Sequence, residues 1–156
     1  MPNRPAATEH GGPQSFPPTL WTAILQARVF SYRTLRGDPT RLTAPLQAWV
    51  KPTTMLINEL SFSNAEVFPW GYKELGLGKV VGVQTFGAVI GTGGTTLIDG
   101  SSLRMPAAGS YTLKGINMEN NGCLPDIYVE QTLDDIFHGR DRQLERAVQE
   151  LVKDLR

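Results

Sequence analysis

Apolar and polar positions divide the middle of the chain into a strand, a helix and a second strand. Residues 55–57 form a short apolar run with the length and character of a buried strand. From 65 to 75 the apolar residues recur at three- and four-residue spacing, which predicts a helix. Pro69 lies inside that pattern, so we expect the helix to begin late or to bend there. Residues 79–84 predict a second buried strand.

The N-terminal part of the chain shows shorter patterns. Residues 19–26 have helical spacing, and residues 27–34 alternate between two faces as a strand does. Residues 36–45 are rich in glycine, aspartate and proline and predict a surface connection. Residues 1–18 contain five prolines and predict a flexible leader. The predicted folded part is therefore 19–156.

Downstream of the second buried strand, turns interrupt several short predicted strands, which lie at 95–97, 103–105, 111–113 and 127–130. Gly91, Gly93 and Gly94 do not fit the dinucleotide-binding fingerprint, and we interpret them as a tight turn. Asp99-Gly100 predicts another turn. Near the C-terminus, apolar residues at i, i+3 and i+4 spacing predict an amphipathic helix with Asp141 as its N-cap.

Composition excludes several classes of function. The 156 residues suit one domain, and the net charge of +0 with no basic, aromatic-rich stretch argues against a nucleic-acid partner. Two histidines and one cysteine are too few for a zinc site, so Cys123 is interpreted as a small buried apolar residue, and we expect no cofactor. No run approaches the roughly 18 apolar residues of a membrane helix. No signal peptide is visible, which makes the cytoplasm the default compartment.

Ser63 is the candidate nucleophile, because it lies at the sharp junction between a buried strand and a helix. A serine in that position is exposed, and the N–H groups at the start of the helix point toward whatever it attacks. The alternative is structural, since serine is also a common helix N-cap. The residue pattern alone leaves both interpretations open.

Two ordered sets of residues carry a resemblance to a known family. The first consists of Asn58-Glu59, Ser61-Phe62-Ser63, Glu66, Gly78-Lys79-Val80-Val81-Gly82 and Thr85-Phe86-Gly87, and the second runs from Glu119 to Asp126 with Cys123 where the family has valine. Together they resemble the nucleophile region of the tricorn-like and carboxyl-terminal processing serine peptidases. The resemblance implies an α/β fold with a crotonase-like ββα core, present here as an incomplete domain whose C-terminal, nucleophile-bearing part is 19–156.

The same resemblance implies roles for individual residues. Ser63 would be the nucleophile, and the N–H of Asn64 would be one oxyanion donor. Gly11 and Gly12 match a glycine-rich loop that supplies the second donor, although a glycine pair is also simply a turn. Glu119 matches the glutamate of the tricorn-like catalytic tetrad. Without the family, Glu119 would be interpreted as a solvated turn carboxylate.

No residue of this chain matches the lysine or the histidine that serves as general base in the two branches of the family. The processing branch of the family has a lysine where this chain has Ala88, and the Ser-His pair of the tricorn-like branch would lie upstream of this chain. His10 lies in the predicted flexible leader, which cannot hold an imidazole in place, and His138 is interpreted as a surface residue. We therefore expect this chain to lack the base and to need a second copy or a partner chain.

The implied activity is that of a serine-type peptidase, which hydrolyses bonds of peptides or unfolded proteins through an acyl-enzyme. One alternative is a non-catalytic relative that binds an apolar ligand. Another is an assembly fragment that joins a partner chain carrying the missing half of the sheet. The third is a truncated, non-functional reading frame, which would expose apolar surface.

Overall fold

The computed structural model describes residues 51–154, together with 23, 25–26, 28–33, 40–44 and 49. The elements found in this part of the chain are β1 (Arg28–Arg33), β2 (Thr40–Ala44), β3 (Thr53–Ile57), α1 (Asn64–Glu74), β4 (Gly78–Gly82), β5 (Gly91–Thr96), β6 (Ser102–Ala108), β7 (Ile127–Tyr128), α2 (Leu133–Phe137) and α3 (Arg142–Asp154). The predicted mixture of helices and strands is confirmed.

A parallel sheet in the order β3-β4-β7 forms the centre of the fold. Both predicted buried strands are confirmed, and Val80 and Val81 have no exposed surface. The second strand ends at Gly82, two residues earlier than predicted. At Gly82 φ is +136°, and a Cβ would lie 1.9 Å from the carbonyl oxygen of Ile57, so only glycine fits this close approach.

Helices cover both faces of the sheet, which explains why its strands are apolar runs and do not alternate. On one face, α1 contributes Phe68 and Tyr72 to a cluster with residues of β3 and β4. On the other face, α3 packs Ala147 against Leu56 and Val81. The Tyr72 hydroxyl donates to the carbonyl oxygen of Thr53 at 2.7 Å, and burial raises the pKa of this tyrosine to about 12.

Helix α1 corrects the expectation of a late start. The helix begins at Asn64 and contains Pro69 as its sixth residue. Pro69 has no N–H to offer the carbonyl of Ala65, four residues earlier. Its ring is fully buried in the core, so packing offsets the lost hydrogen bond. At the other end of the helix, Lys73 pairs with Asp126 at 3.1 Å and ties α1 to the loop before β7.

The N-terminal hairpin confirms one prediction and corrects another. Strand β1 lies inside the predicted strand 27–34, whereas the predicted connection 36–45 contains β2, which pairs antiparallel with β1. Pro39 and Pro45 flank this five-residue strand in the sequence. Because prolines are turn signals, the pattern predicted a surface connection there and not a strand. The predicted leader 1–18 lies outside the described residues, as does most of the predicted helix 19–26.

A second hairpin corrects the expectation for Gly91, Gly93 and Gly94. These glycines lie inside β5, which pairs antiparallel with β6 in a two-stranded sheet of its own. The turn at Asp99 is confirmed, since its carboxylate accepts bonds from the N–H and hydroxyl of Ser101. The predicted strands 95–97 and 103–105 overlap the hairpin, whereas 111–113 contributes one isolated bridge.

The C-terminal region contains one predicted helix and one unexpected helix. Helix α3 starts as predicted, because Asp141 Oδ1 accepts the N–H of Leu144 at 2.8 Å. Helix α2 was not predicted; a capping box between Thr132 and Asp135 starts it. Strand β7 is shorter than predicted, with two residues. Among the described residues, no helix has the length and apolar character to cross a membrane.

Candidate active site

Ser63 lies between β3 and α1 in a conformation that side chains rarely adopt. Its φ and ψ are 58° and −124°, outside the regions that are sterically allowed for residues with a Cβ. Its carbonyl accepts the N–H groups of Glu66 and Val67 and so starts the helix. Such a conformation costs about 1–3 kcal/mol and persists only where the surroundings enforce it.

The hydroxyl of Ser63 does not act as a helix cap. Ser63 occupies the N-cap position, yet its side chain accepts no N–H from the first turn. Within the part of the chain that the structure describes, this hydroxyl has no hydrogen-bond partner. The structural alternative for Ser63, a serine present to cap the helix, therefore fails on the observed geometry.

Residues 85–90, which we call the support segment, hold Ser63 in place. The N–H of Ser63 donates to the carbonyl of Ala88 at 2.8 Å, and the N–H of Phe86 donates to the carbonyl of Ser61 at 3.0 Å. The support segment is not a strand of the central sheet. Nevertheless each of its six backbone N–H groups has an acceptor. These six groups are therefore not available to a substrate in this arrangement.

Glu66 binds the centre of the support segment. One carboxylate oxygen accepts the N–H of Gly87 at 2.7 Å and the hydroxyl of Thr85 at 2.5 Å, and the other accepts the N–H of Ala88 at 2.7 Å. Glu66 is 0% exposed. No Lys, Arg or His side chain of the described ranges pairs with it. The donors to this buried carboxylate are all uncharged. Glu66 therefore holds the support segment in place, and the support segment holds Ser63.

Glu119 binds the end of the same segment. Its Oε2 accepts the N–H groups of Val89 and Ile90 at 2.6 and 2.7 Å. The next residue, Asn120, has φ of 62° and donates its N–H to the carbonyl of Gly87 at 2.8 Å. Glu119 is half-buried. Two glutamates thus accept four consecutive N–H groups. Glu119 does lie in a turn, but its carboxylate binds backbone N–H groups and is not simply solvated.

A third contact anchors the start of the support segment. The N–H of Thr85 donates to the carbonyl of Cys123, and the N–H of Cys123 donates to the Thr85 hydroxyl at 2.6 Å. Cys123 is buried, as predicted, and burial raises the pKa of its thiol to about 12. Beside it, Gly122 has φ of +56°, and a Cβ there would lie 2.3 Å from the carbonyl oxygen of Thr85. The signature around residue 122 therefore requires glycine for packing.

The remaining predicted residues are placed as follows. Asn64 is the first residue of α1, directly after Ser63. Gly11, Gly12 and His10 lie outside the described residues, so their roles stay predictions. His138 is exposed, as predicted, and its ring contacts Asp134 at the end of α2. In the described ranges no group of three or more Asp, Glu, His or Cys side chains could hold a metal ion.

A groove of about 180 Å³ runs along α1 beside these residues. One wall is the helix face that follows Ser63 at helical spacing, and the other is the turn that precedes Glu119. Its lining residues are Val67, Trp70, Gly71, Glu74, Tyr111, Thr112, Leu113 and Met118. The segments that carry Ser63 and Glu119 therefore also form a concave, mainly apolar surface.

Glu66 is the site residue whose role the sequence did not reveal. It was noted as part of the family resemblance, yet no role could be assigned, because its partners are backbone N–H groups about twenty positions away. The available signal was its position three residues after Ser63, in the first turn of a helix with a buried face. An acidic residue in that turn is usually explained by the helix dipole alone.

Comparison with known proteins supplies a context for this geometry. The sequence profile of peptidase family S41 matches residues 17–129. Tricorn protease of Thermoplasma acidophilum is 37% identical over 103 residues, covering 65% of this chain and 10% of that protein. Tricorn protease homolog 1 of Streptomyces coelicolor is 38% identical over 128 residues, covering 80% of this chain and 12% of that protein.

The fold is also similar to a solved structure. A crystal structure of the tricorn protease superposes with a TM-score of 0.80 at 29% identity, covering 88% of this chain and 14% of that chain. The chain thus spans between 10% and 14% of the length of these three relatives.

Proposed function

The chain belongs to peptidase family S41, and from this membership we propose that it carries the nucleophile-bearing part of a serine peptidase domain, with Ser63 as the nucleophile. Ser63 Oγ forms a bond to the carbonyl carbon of a peptide bond while a base takes its proton. The C–N bond then breaks, the amine leaves with that proton, and water hydrolyses the acyl-enzyme. The substrate class is an unfolded protein or peptide.

One observation carries the proposal: Ser63 has a strained backbone at a strand-to-helix junction, and its hydroxyl caps nothing. Strain of this kind clusters at functional sites. A serine that served only as a cap would adopt an extended backbone and accept an N–H from the first helical turn. The oxyanion donors in this proposal are the N–H of Asn64 and an N–H of the Gly11-Gly12 loop.

Glu119 orients the base in this proposal, and the base itself comes from outside this chain. Its Oε2 is occupied by Val89 and Ile90, whereas its Oε1 accepts no hydrogen bond from the described residues. The second oxygen therefore remains for a polar group on the segment that carries the base. Ala88, at the position of the processing-branch lysine, has no group that could take a proton.

The fold in this proposal is a crotonase-like ββα core that another polypeptide segment completes. An assembly fragment without activity is the second candidate. Apolar side chains on α2 favour it, because Leu133, Ile136 and Phe137 are 86%, 61% and 86% exposed. A partner chain that brings the base would satisfy both candidates.

The test is covalent labelling of the full chain with a fluorophosphonate probe, followed by intact mass measurement. Ser63→Ala is the test variant. Ser61→Ala is the matched control, since Ser61 is two residues away and its hydroxyl bonds to Asn58. Circular dichroism verifies that all three proteins are folded.

We expect a single adduct on the wild type and on Ser61→Ala and none on Ser63→Ala, provided that a base is present in the sample. An adduct that persists on Ser63→Ala would refute Ser63 as the nucleophile. A folded wild type without any adduct would mean that the active site in the sample is incomplete, as the proposal expects when no segment that carries the base is present.

A further inference from the structure

The turn that follows Glu119 contains an asparagine directly before a glycine. The sequence has two pairs in which glycine follows Asp or Asn, Asp99-Gly100 and Asn121-Gly122. In such a pair the next backbone nitrogen is held close to the side-chain carbonyl carbon, and glycine has no Cβ that would crowd its approach. The hydrogen bonds of the two groups decide whether they react.

The backbone N–H of Gly122 has no acceptor among the residues that the structure describes. The N–H groups of residues 120, 121 and 123, by contrast, all donate to acceptors of the fold. Gly122 is buried. A buried N–H without a partner is rare and calls for an explanation. No hydrogen bond within the described part of the chain therefore restrains the nitrogen that would attack.

The side chain of Asn121 is exposed, and its carbonyl oxygen accepts no hydrogen bond from the described residues. Its Nδ2 donates to the carbonyl of Asn117 at 2.7 Å. The backbone carbonyl of Asn121 accepts a hydrogen bond from Nε2 of Gln84. A donor on this carbonyl polarises the peptide bond and makes the N–H of Gly122 more acidic. Both contacts lie at exposed positions, so water competes for them.

The other pair, Asp99-Gly100, has both groups occupied. The N–H of Gly100 donates to the carbonyl of Leu97 at 2.9 Å. The carboxylate of Asp99 accepts the N–H and the hydroxyl of Ser101. These bonds lower the pKa of Asp99, so the carboxyl group stays ionised and its carbon is a poor electrophile. Asp99 therefore serves as the internal reference for an unreactive pair.

We propose that Asn121 is a modification site, at which deamidation of the folded chain forms isoaspartate and releases the support segment around Ser63. The Gly122 nitrogen forms a bond to the side-chain carbonyl carbon of Asn121 and gives up its proton. The bond from that carbon to Nδ2 breaks, and Nδ2 takes up a proton and leaves as ammonia. Water then opens the cyclic imide, at the side-chain carbonyl to give aspartate or at the backbone carbonyl to give isoaspartate. Water is the only co-reactant.

Isoaspartate does not fit into this turn. It carries the main chain through the side-chain carbon, which places one more backbone atom between Asn121 and Gly122. Gly122 has no room to shift toward the support segment, because a Cβ on it would lie 2.3 Å from the carbonyl oxygen of Thr85. On another side, a Cβ at Gly87 would lie 3.2 Å from the Gly122 nitrogen. The amide that donated to Asn117 is also lost.

Contacts on both sides of the modified bond hold the support segment. Asn120 donates its N–H to the carbonyl of Gly87, and Cys123 exchanges two hydrogen bonds with Thr85. An added backbone atom between residues 120 and 123 changes the spacing of these contacts, so the two cannot both keep their geometry. The inference concerns the order of residues 85–90 and does not depend on the proposed peptidase activity.

The first test measures the reaction in the wild-type full chain, folded and unfolded in guanidinium chloride. Both samples are incubated in mildly alkaline buffer, and aliquots are digested with trypsin. Cleavage releases residues 115–140 as the peptide with Asn121 and residues 80–104 as the peptide with Asp99. Mass spectrometry follows the exchange of NH₂ for OH at Asn121, and electron-transfer fragmentation distinguishes isoaspartate from aspartate.

We expect Asn121 to deamidate in the folded chain at a rate within about tenfold of its rate in the unfolded chain, a barrier difference below about 1.4 kcal/mol. A larger slowing would overturn the proposal, because the fold would then protect the residue. The same comparison should show stronger protection of Asp99. Equal protection of the two pairs would also overturn it, since the free N–H of Gly122 would then make no difference.

The second test measures the release of the support segment. Ion exchange separates the modified chain by its additional negative charge, and hydrogen exchange with mass spectrometry compares the amides of 85–90 in modified and fresh chain. We expect these amides to exchange about fivefold faster in the modified chain, the factor for the loss of one hydrogen bond. Unchanged exchange would overturn the release.

Two variants separate the causes. Asn121→Asp adds the charge without the backbone atom and should accelerate exchange less than the modification does; an equal acceleration would overturn the role of the added atom. Asn121→Gln keeps the amide, but its longer side chain would have to close a larger ring. After the same incubation it should exchange like the fresh chain. A loss of protection equal to that of the wild type would overturn the proposal, because the change would then arise elsewhere.

Discussion

Replacement of Glu66 by glutamine tests the support of Ser63 most directly. The carboxylate accepts three hydrogen bonds from Thr85, Gly87 and Ala88, and no cation of the described chain compensates its charge. Gln has the same shape, but only one of its two terminal atoms can accept. If the amide oxygen keeps Thr85 and Gly87, the NH₂ group faces the N–H of Ala88.

The expected loss follows from these contacts. Leaving the half-buried N–H of Ala88 without an acceptor costs about 1–3 kcal/mol, and hydrogen bonds to a neutral acceptor are about 1 kcal/mol weaker than those to a charged one. Two remaining bonds and one lost bond therefore sum to about 3–5 kcal/mol. Because domains have only about 5–15 kcal/mol of unfolding free energy, this is a large fraction. Glu66→Ala should be worse, since three donors lose their partner.

Urea unfolding measures the global effect, and hydrogen exchange with mass spectrometry measures the local one. We expect a lower midpoint for Glu66→Gln and faster exchange of the amides of 87 and 88. Glu59→Gln is the control, since it makes the same charge change at an exposed position of the preceding turn. An unfolding free energy within about 0.5 kcal/mol of wild type, the range typical of surface substitutions, would refute the supporting role of Glu66.

Two further predictions concern the same region. Gly122→Ala should destabilise the chain by about 1–3 kcal/mol more than Gly115→Ala in urea unfolding, because both have positive φ and share its cost, but only at 122 would a Cβ clash, with the carbonyl oxygen of Thr85; equal losses would contradict the clash. Burial raises the pKa of Cys123 and of Tyr72 to about 12, from 9.0 and 10.0. The unfolded chain therefore loses these protons first, so the unfolding free energy falls as pH rises from about 9 to 12. Between pH 8 and 10.5 the unfolding free energy of Cys123→Ala should fall by about 2 kcal/mol less than that of the wild type. Equal falls in the two proteins would contradict this prediction.

The sequence predicted those elements whose apolar spacing has one explanation. Strands β3 and β4 are buried on both faces, and α3 has an apolar stripe, so hydrophobic burial alone specifies them. Strand β5 was mistaken for a turn because Gly91, Gly93 and Gly94 have no side chains and therefore give no alternating pattern of apolar and polar positions. Helix α2 has only five residues, too few for a periodic signal, and its capping box was the available clue.

The residues of the candidate site could be named from the sequence, whereas the contacts that support them could not. The junction position of Ser63 could be inferred from a strand pattern followed by a helix pattern, and the resemblance to tricorn-like and carboxyl-terminal processing peptidases is confirmed by the match to family S41. The conformation of Ser63 could not, because it depends on a carbonyl twenty-five positions away. The partners of Glu66 and Glu119 are likewise backbone groups, which carry no sequence signature.

Two strained residues meet the support segment at neighbouring carbonyls. Ser63 and Asn120 both have positive φ, and their N–H groups donate to the carbonyls of Ala88 and Gly87, respectively. Each strained residue costs about 1–3 kcal/mol unless its surroundings enforce it. The hydrogen bonds that enforce both conformations come from carbonyls of the support segment. The N–H groups of this segment in turn donate to Glu66 and Glu119. A group that pulled Glu119 away from Val89 and Ile90 would therefore also loosen the carbonyl that fixes Ser63. The conformation of Ser63 thus depends on Glu119 without any contact between the two side chains.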